Sequence, residues 1–294
     1  MSFMRNENYK ATMQDSVELG RGIQRILWSK SLDSHGFGFE FAVSYVLFLR
    51  AERSLAAIRL LVREGLTDDA MALVRVMVEK VINAEYILLG GAEPAMDFIQ
   101  FGAFDDWRTY QEISERHPSL APQYKKQVSK DLKRMHDEAR IKILPDGSAK
   151  NRYGRGHDWI ELSLLKRSQK VDALLKERRL PAKTCMMFDG SYKRSAQYLH
   201  GSFASIVRSI DAGRDKGKPL IDSGKVEVEV GIRLRDNSPK LGVDALATAN
   251  AVAFQMLAFL ADVLSQQKSK QWVMAFAKKN VARSSSGSRS ITSC

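Results

Sequence analysis

Along most of this chain apolar residues recur at three- and four-residue spacing, the period of an amphipathic helix. From Phe37 to Arg63 the residues Phe41, Tyr45, Phe48, Leu55 and Ile58 keep that period, and no proline interrupts it. Gly65 is placed to close this helix as a C-terminal cap. Thr67 with Asp68 and Asp69 then opens a second helix, with acidic groups at the end where the helix dipole favours them. Ala70, Leu73, Val74, Met77, Val78, Val81 and Ile82 supply its apolar face up to about Leu89, where Gly90-Gly91 stops it. The two segments predict an antiparallel helical hairpin.

Beyond Pro94 the pattern predicts helices from about Ala95 to Arg116 and from about Ser119 to Ile143; Phe98, Phe101, Phe104, Trp107 and Tyr110 on the first read as core residues. The basic stretch 144–158, LPDGSAKNRYGRGHD, reads as a loop. Helical patterning resumes from Trp159 to about Arg179 and from about Cys185 to Ile210, with Pro181 between them, and again from Val243 to about Ala277. Only near 225–235 does the period change: KVEVEVGIRLR alternates valine with glutamate and reads as a short β excursion. The fold class expected is all-α, a multi-helix bundle of roughly eight helices. Residues 1–36 are a helical extension, 37–280 the main domain, and 281–294, rich in serine, a flexible tail.

The charge of the chain adds a class of partner. With 46 Lys+Arg against 34 Asp+Glu the formal net charge is +12, which attracts polyanions such as RNA, DNA or anionic lipid. Lys125 to Arg155 holds ten basic and four acidic residues, with Tyr153 between Arg152 and Arg155; Lys268 to Cys294 holds six basic residues and no acid. Such tracts serve phosphate-backbone contact or simply a solvated surface. Cys185 and Cys294 are too few and too far apart for a disulfide framework or a CxxC metal site, so a reducing cytoplasm is the expected location. The first residues lack the apolar core of a signal peptide, and no run of about 18 apolar residues is apparent, so membrane insertion is not expected.

Familiar catalytic signatures are missing: the sequence has no GxxxxGK[ST] loop, HExxH, GxSxG or GxGxxG. No cofactor is expected. Asp105-Asp106 with Glu112 offer carboxylates for Mg²⁺, but paired acids on a helix ordinarily face water, and no metal site is assigned. At His157-Asp158-Trp159 the aspartate suits an N-cap and the tryptophan a core anchor, while His35, His117 and His136 have no partners at ligand spacing.

What remains is Arg194 followed by His200 on a predicted helix. A histidine that moves the proton of a 2′-hydroxyl, with a guanidinium steadying the phosphate, is sufficient to cleave RNA without a metal. His200 would be the acid/base and Arg194 the clamp. Six residues of separation place the side chains about 120° apart on an undistorted helix and about 9 Å along its axis. The competing reading makes Arg194 a solvated helix residue and His200 a C-terminal cap before Gly201. Arg75 and Glu79, one turn apart on the second helix, are either an ordinary ion pair or charges lining a cleft.

The pair resembles the R-x(4–6)-H motif of the HEPN ribonucleases. More broadly, Ala56 to Leu89, the basic loop up to Trp159, and the pattern Y-x(2)-S-x(4)-H-x-S at Tyr192, Ser195, His200 and Ser202 are similar to a widespread family of helical bacterial domains of unassigned function, over roughly residues 38 to 265. Those domains look like enlarged relatives of the HEPN antiparallel four-helix bundle. The resemblance implies a metal-independent endoribonuclease acting as a toxin or phage-defence effector, a homodimer that completes its site across a twofold axis, and RNA as substrate. It implies Arg194, His200 and Glu79 as catalytic residues, with Glu79 orienting His200. Arg75, Tyr192, Ser195, Tyr198, Ser202, Arg152 and Arg155 would bind substrate. The chain departs from HEPN nucleases at Ser195, where they usually carry Asn, Asp or His. Two rival functions fit the same residues: a non-catalytic module that binds nucleic acid or a regulatory protein partner, and a sensor whose Arg75, Arg194 and His200 form an anion pocket.

Overall fold

The hairpin with the clearest period becomes the centre of the molecule. The computed structural model describes residues 7–32, 38–119, 122, 141–143, 149–151, 160, 162–199, 239–264, 271, 274–276 and 278. Its first four helices are α1 (Glu7–Leu32), α2 (Phe39–Arg63), α3 (Thr67–Gly90) and α4 (Ala92–Arg116). Between α2 and α3 the backbone of Gly65 turns left-handed, at φ +78°. There Leu66 N–H donates to the Leu61 carbonyl and Gly65 N–H to the Val62 carbonyl, the pair of bonds that satisfies a helix end when a residue without a Cβ follows it. Asp68 and Asp69 fall in the first turn of α3, and Gly91, at φ +86°, breaks it from α4.

After a two-stranded ribbon come α5 (Leu164–Glu177), α6 (Thr184–Met187), a π-helical turn (Phe188–Tyr192), α7 (Lys193–Leu199) and α8 (Pro239–Val263). The fold is all-α. α3 packs against α2, α4, α5, the π turn, α7 and α8, while α8 also covers α1 and α2. Phe48, Leu55 and Ile58 of α2, Met77 and Ile82 of α3, Leu246 and Met256 of α8, and Leu19 and Ile23 of α1 are all fully buried in one core. Each such side chain contributes about 1.5–3 kcal/mol relative to exposure. Pro239 heads α8, where its missing N–H would have had no partner in any case.

Several elements differ from the sequence pattern. Ile141–Ile143, expected at the end of a helix, is a strand paired antiparallel with Ala149–Asn151, in the expected loop; Ile141 lies opposite Asn151 and Ile143 opposite Ala149. The β-branched isoleucines favour an extended chain, and the Pro145-Asp146-Gly147 sequence between the strands suits a turn. On α4, Phe98 and Phe101 pack half-buried against the core rather than inside it, Tyr110 is half-buried, and among the described side chains of the helix Ala95 is the buried one. The Phe104 and Trp107 side chains lie outside the described residues. Leu241–Val263 turns out to be long and apolar enough to cross a membrane by composition, but it is a core helix here, with half of its most apolar stretch buried in the bundle. The alternating segment 225–235 and the tail 281–294 lie outside the described residues.

Candidate functional site

The helix that carries the Arg-x5-His motif starts from a buried polar joint. Asp172 on α5 accepts the Thr184 N–H at 2.8 Å and the Cys185 N–H at 3.0 Å, so its carboxylate caps the otherwise unpaired amides of α6. The Thr184 hydroxyl donates at 2.9 Å to Oε2 of Glu85 on α3. Glu85 is buried, and its Oε1 has no hydrogen-bond partner among the described residues. Burial pushes the Glu85 carboxyl up to about 8; the Thr184 bond opposes the shift and the Asp172 charge adds to it. At neutral pH Glu85 is therefore mainly a neutral acid. Arg167, also buried, ties α5 to α3 through Nη1 to Asn83 Oδ1 at 2.6 Å and to its own entry loop through Nε to the Leu162 carbonyl at 3.0 Å. The Cys185 Sγ rests 3.6 Å from Ser168 Oγ, and burial raises its thiol pKa, so it is not an activated nucleophile.

From this joint the helix widens into the π turn, which exposes Asp189 and Gly190 and turns Phe188 inward. Wide turns of this kind inside α-helices are frequent at functional sites. The Tyr192 ring stacks on Phe188 with centroids 4.9 Å apart, and the Arg75 guanidinium lies 5.0 Å from the Tyr192 centroid. Arg75 Nε also reaches Glu79 Oε1 at 3.3 Å. Burial, followed by the Glu79 charge, raises the Tyr192 phenol, and Arg75 pulls it back. Arg75, Glu79 and Tyr192, singled out separately in the sequence, are thus one cluster between α3 and the π turn.

Arg194 is directed elsewhere. Its Nη2 donates to Asp244 Oδ2 on α8 at 2.8 Å, and nearly half of the side chain, 46%, stays exposed. Ser195 is fully buried, and its hydroxyl bonds the Ser191 carbonyl at 2.7 Å and the Tyr192 carbonyl at 3.1 Å, so it braces the π turn from inside. Tyr198 lies on α7, its side chain outside the described residues; His200, Ser202, Arg152 and Arg155 lie outside them as well, as do His35, His136 and His157. His117 is exposed at the end of α4.

A family model described as a family of unknown function, DUF5677, matches residues 41–218. The chain belongs to this family. No curated protein and no solved structure matches the chain significantly. The DUF5677 match spans α2 through α7 and so contains Arg75, Glu79, Tyr192, Arg194, His200 and Ser202. α1 and α8 fall outside it, so Asp244, the partner of Arg194, comes from beyond the DUF5677 segment.

Sequence reasoning passed over Asp244, Glu85 and Lys80. Glu85 carries a signal, since it is the charged residue in the largely apolar run from Val81 to Leu89, which otherwise holds one polar residue, Asn83. Asp244 carries none, because its partner lies fifty residues away in the chain.

Proposed function

We propose that this DUF5677 protein is a HEPN-like, metal-independent endoribonuclease, working in the cytoplasm as a homodimeric toxin or phage-defence effector. His200 moves the proton and Arg194 holds the phosphate. The observation that supports this reading is the state of Arg194. Its guanidinium is half exposed and donates to one carboxylate through one nitrogen, while Nε and Nη1 make no hydrogen bond to any described residue. Such a fork is oriented in advance and retains donors for a phosphate. Glu79 is better described as a positioning residue, since it sits against Tyr192 and Arg75 and steadies the turn that precedes Arg194.

The test is incubation of the wild type and of His200→Ala with labelled total RNA in EDTA, scoring fragments that end in 2′,3′-cyclic phosphate. Loss of a catalytic acid/base costs about 10²–10⁴-fold in rate. Equal cleavage by the two proteins would refute the assignment.

One observation favours a second reading, a non-catalytic module for a nucleic acid or protein partner. The same Arg194–Asp244 pair ties α7 to α8, which is what a purely structural arginine would do. In that case His200→Ala leaves RNA binding and the absence of cleavage unchanged.

A further inference from the structure

On the seam between α2 and α3 lies a second group of cations that neither the motif nor the family match accounts for. Lys80 is half-buried there, and its Nζ donates at 2.9 Å to the hydroxyl of buried Ser54. That hydroxyl in turn donates to the Arg50 carbonyl at 3.0 Å, so Ser54 holds the ammonium in place without neutralising it. Arg50 lies one turn before Ser54 on the same face of α2; burial, followed by the positive charge of Arg50, lowers the Lys80 pKa, and Glu79 opposes the shift. Arg53, one helical turn after Arg50 on α2, is exposed as well.

Ordinarily such cations are offset by acids, and here the acid is engaged elsewhere. Among the described residues no carboxylate lies within ion-pair distance of Arg50, Arg53 or Lys80. Glu79, the one carboxylate that acts favourably on Lys80, is in contact with Arg75 and faces Tyr192. Burying part of a lysine beside an arginine is unfavourable unless an anion arrives from outside. A monoanionic phosphodiester suits the group: Lys80 has donors left after its bond to Ser54, and Arg50 presents a planar fork.

We propose that Lys80 and Arg50 bind a backbone phosphate of single-stranded RNA on the α2–α3 seam. This rests on the part of the proposed function that makes RNA the ligand, cleaved or not, and it places one contact of the strand on the hairpin itself, in addition to the 125–155 tract. The Ser54–Lys80 bond fixes the ammonium, so binding at this point requires little ordering of the side chain.

The test uses the full-length protein and a 2′-O-methyl RNA 20-mer, which cannot be cleaved, titrated at several salt concentrations, with pyrophosphate as a separate probe. Lys80→Met, which keeps the buried stem, is expected to weaken RNA binding about fivefold and to reduce the slope of log K against log salt by about 0.7, the value for one phosphate contact on a single strand. Lys80→Arg should restore both, and thermal melts would show that both variants fold. Unchanged affinity and slope in Lys80→Met overturn the proposal. So does loss of pyrophosphate binding alone, which would make this a site for a free phosphate. RNA binding that depends on Lys80 without any cleavage by wild type would refute the ribonuclease and leave this site standing; cleavage with binding indifferent to Lys80 would do the reverse.

Discussion

α2, α3 and α8 share an interior of Leu55, Ile58, Met77, Val78, Leu246 and Met256, all without exposed surface, and Phe48 of α2 lies against Phe259 of α8 at 6.0 Å. Where α5 and α6 meet α3, buried Val171, Leu175 and Met187 are accompanied by buried Glu85, Arg167, Ser168 and Thr184, with directional bonds from these to Asn83, Asp172, the Leu162 and Leu165 carbonyls and, between Thr184 and Glu85, to each other. The first region is held by volume excluded from water, which is indifferent to pH and tolerant of shape. The second adds to its buried apolar residues a few bonds whose geometry must be met, and one of its members changes charge near neutral pH. The candidate chemistry hangs from the second region, since α6, the π turn and α7 are one continuous helix. Stability and site geometry are therefore governed by different residues.

Three substitutions test that contrast, in order of expected effect. Leu55→Ala empties a fully buried position and should cost about 2–5 kcal/mol, measured by urea unfolding, with the same value at pH 5 and pH 9. Glu85→Gln should act only through pH. The folded carboxyl titrates at about 8 against 4.5 in the unfolded chain, so the unfolded state gives up its proton first. Stability is greatest below the unfolded value, declines as pH rises between the two, and levels off above the folded one. Glutamine cannot ionise, so the variant should lose this decline and exceed wild type at pH 9 by roughly 1–3 kcal/mol. Melting curves across pH that stay parallel would show that the joint is not governed by this proton. Smallest is the surface tie: Arg194→Ala and Asp244→Ala, combined in a double-mutant cycle, should give a coupling of about 1 kcal/mol or less. A larger coupling would move Arg194 into the structural class and weaken its role as a phosphate clamp.

Much of the first region was legible in the sequence. The α2–α3 hairpin follows its apolar period to within two residues at each end, with Gly65 and Gly91 at the breaks, because local caps and a single apolar face specify it. The aromatic period of α4 brought Phe98 and Phe101 against the core but not into it, since periodicity shows which face is apolar but not how much of it a neighbour covers. The ribbon at Ile141 was missed because a short apolar run cannot by itself distinguish helix from strand. For the candidate site, sequence spacing identified the Arg75–Glu79 pair, and the fold added Tyr192 to it. It could not show that Ser195 faces inward or that Arg194 meets Asp244. The first depends on the phase of a π turn and the second on a contact across fifty residues.

That turn has a consequence for how the motif is aimed. A five-residue hydrogen-bonded loop holds one residue more than the α-helix around it needs, and each additional residue rotates everything after it by about 100°. Thr184 and Arg194 share an axis but not a clock face, one bonding Glu85 on α3 and the other Asp244 on α8; the ten residues between them turn an ordinary helix by about 280°, and the wide turn changes that angle. The direction of the arginine follows from the residue count between Phe188 and Tyr192, with Ser195 bracing the turn and Asp244 receiving the guanidinium. Across the family, an insertion or deletion of one position in this interval would re-aim the motif while leaving every residue of it in place.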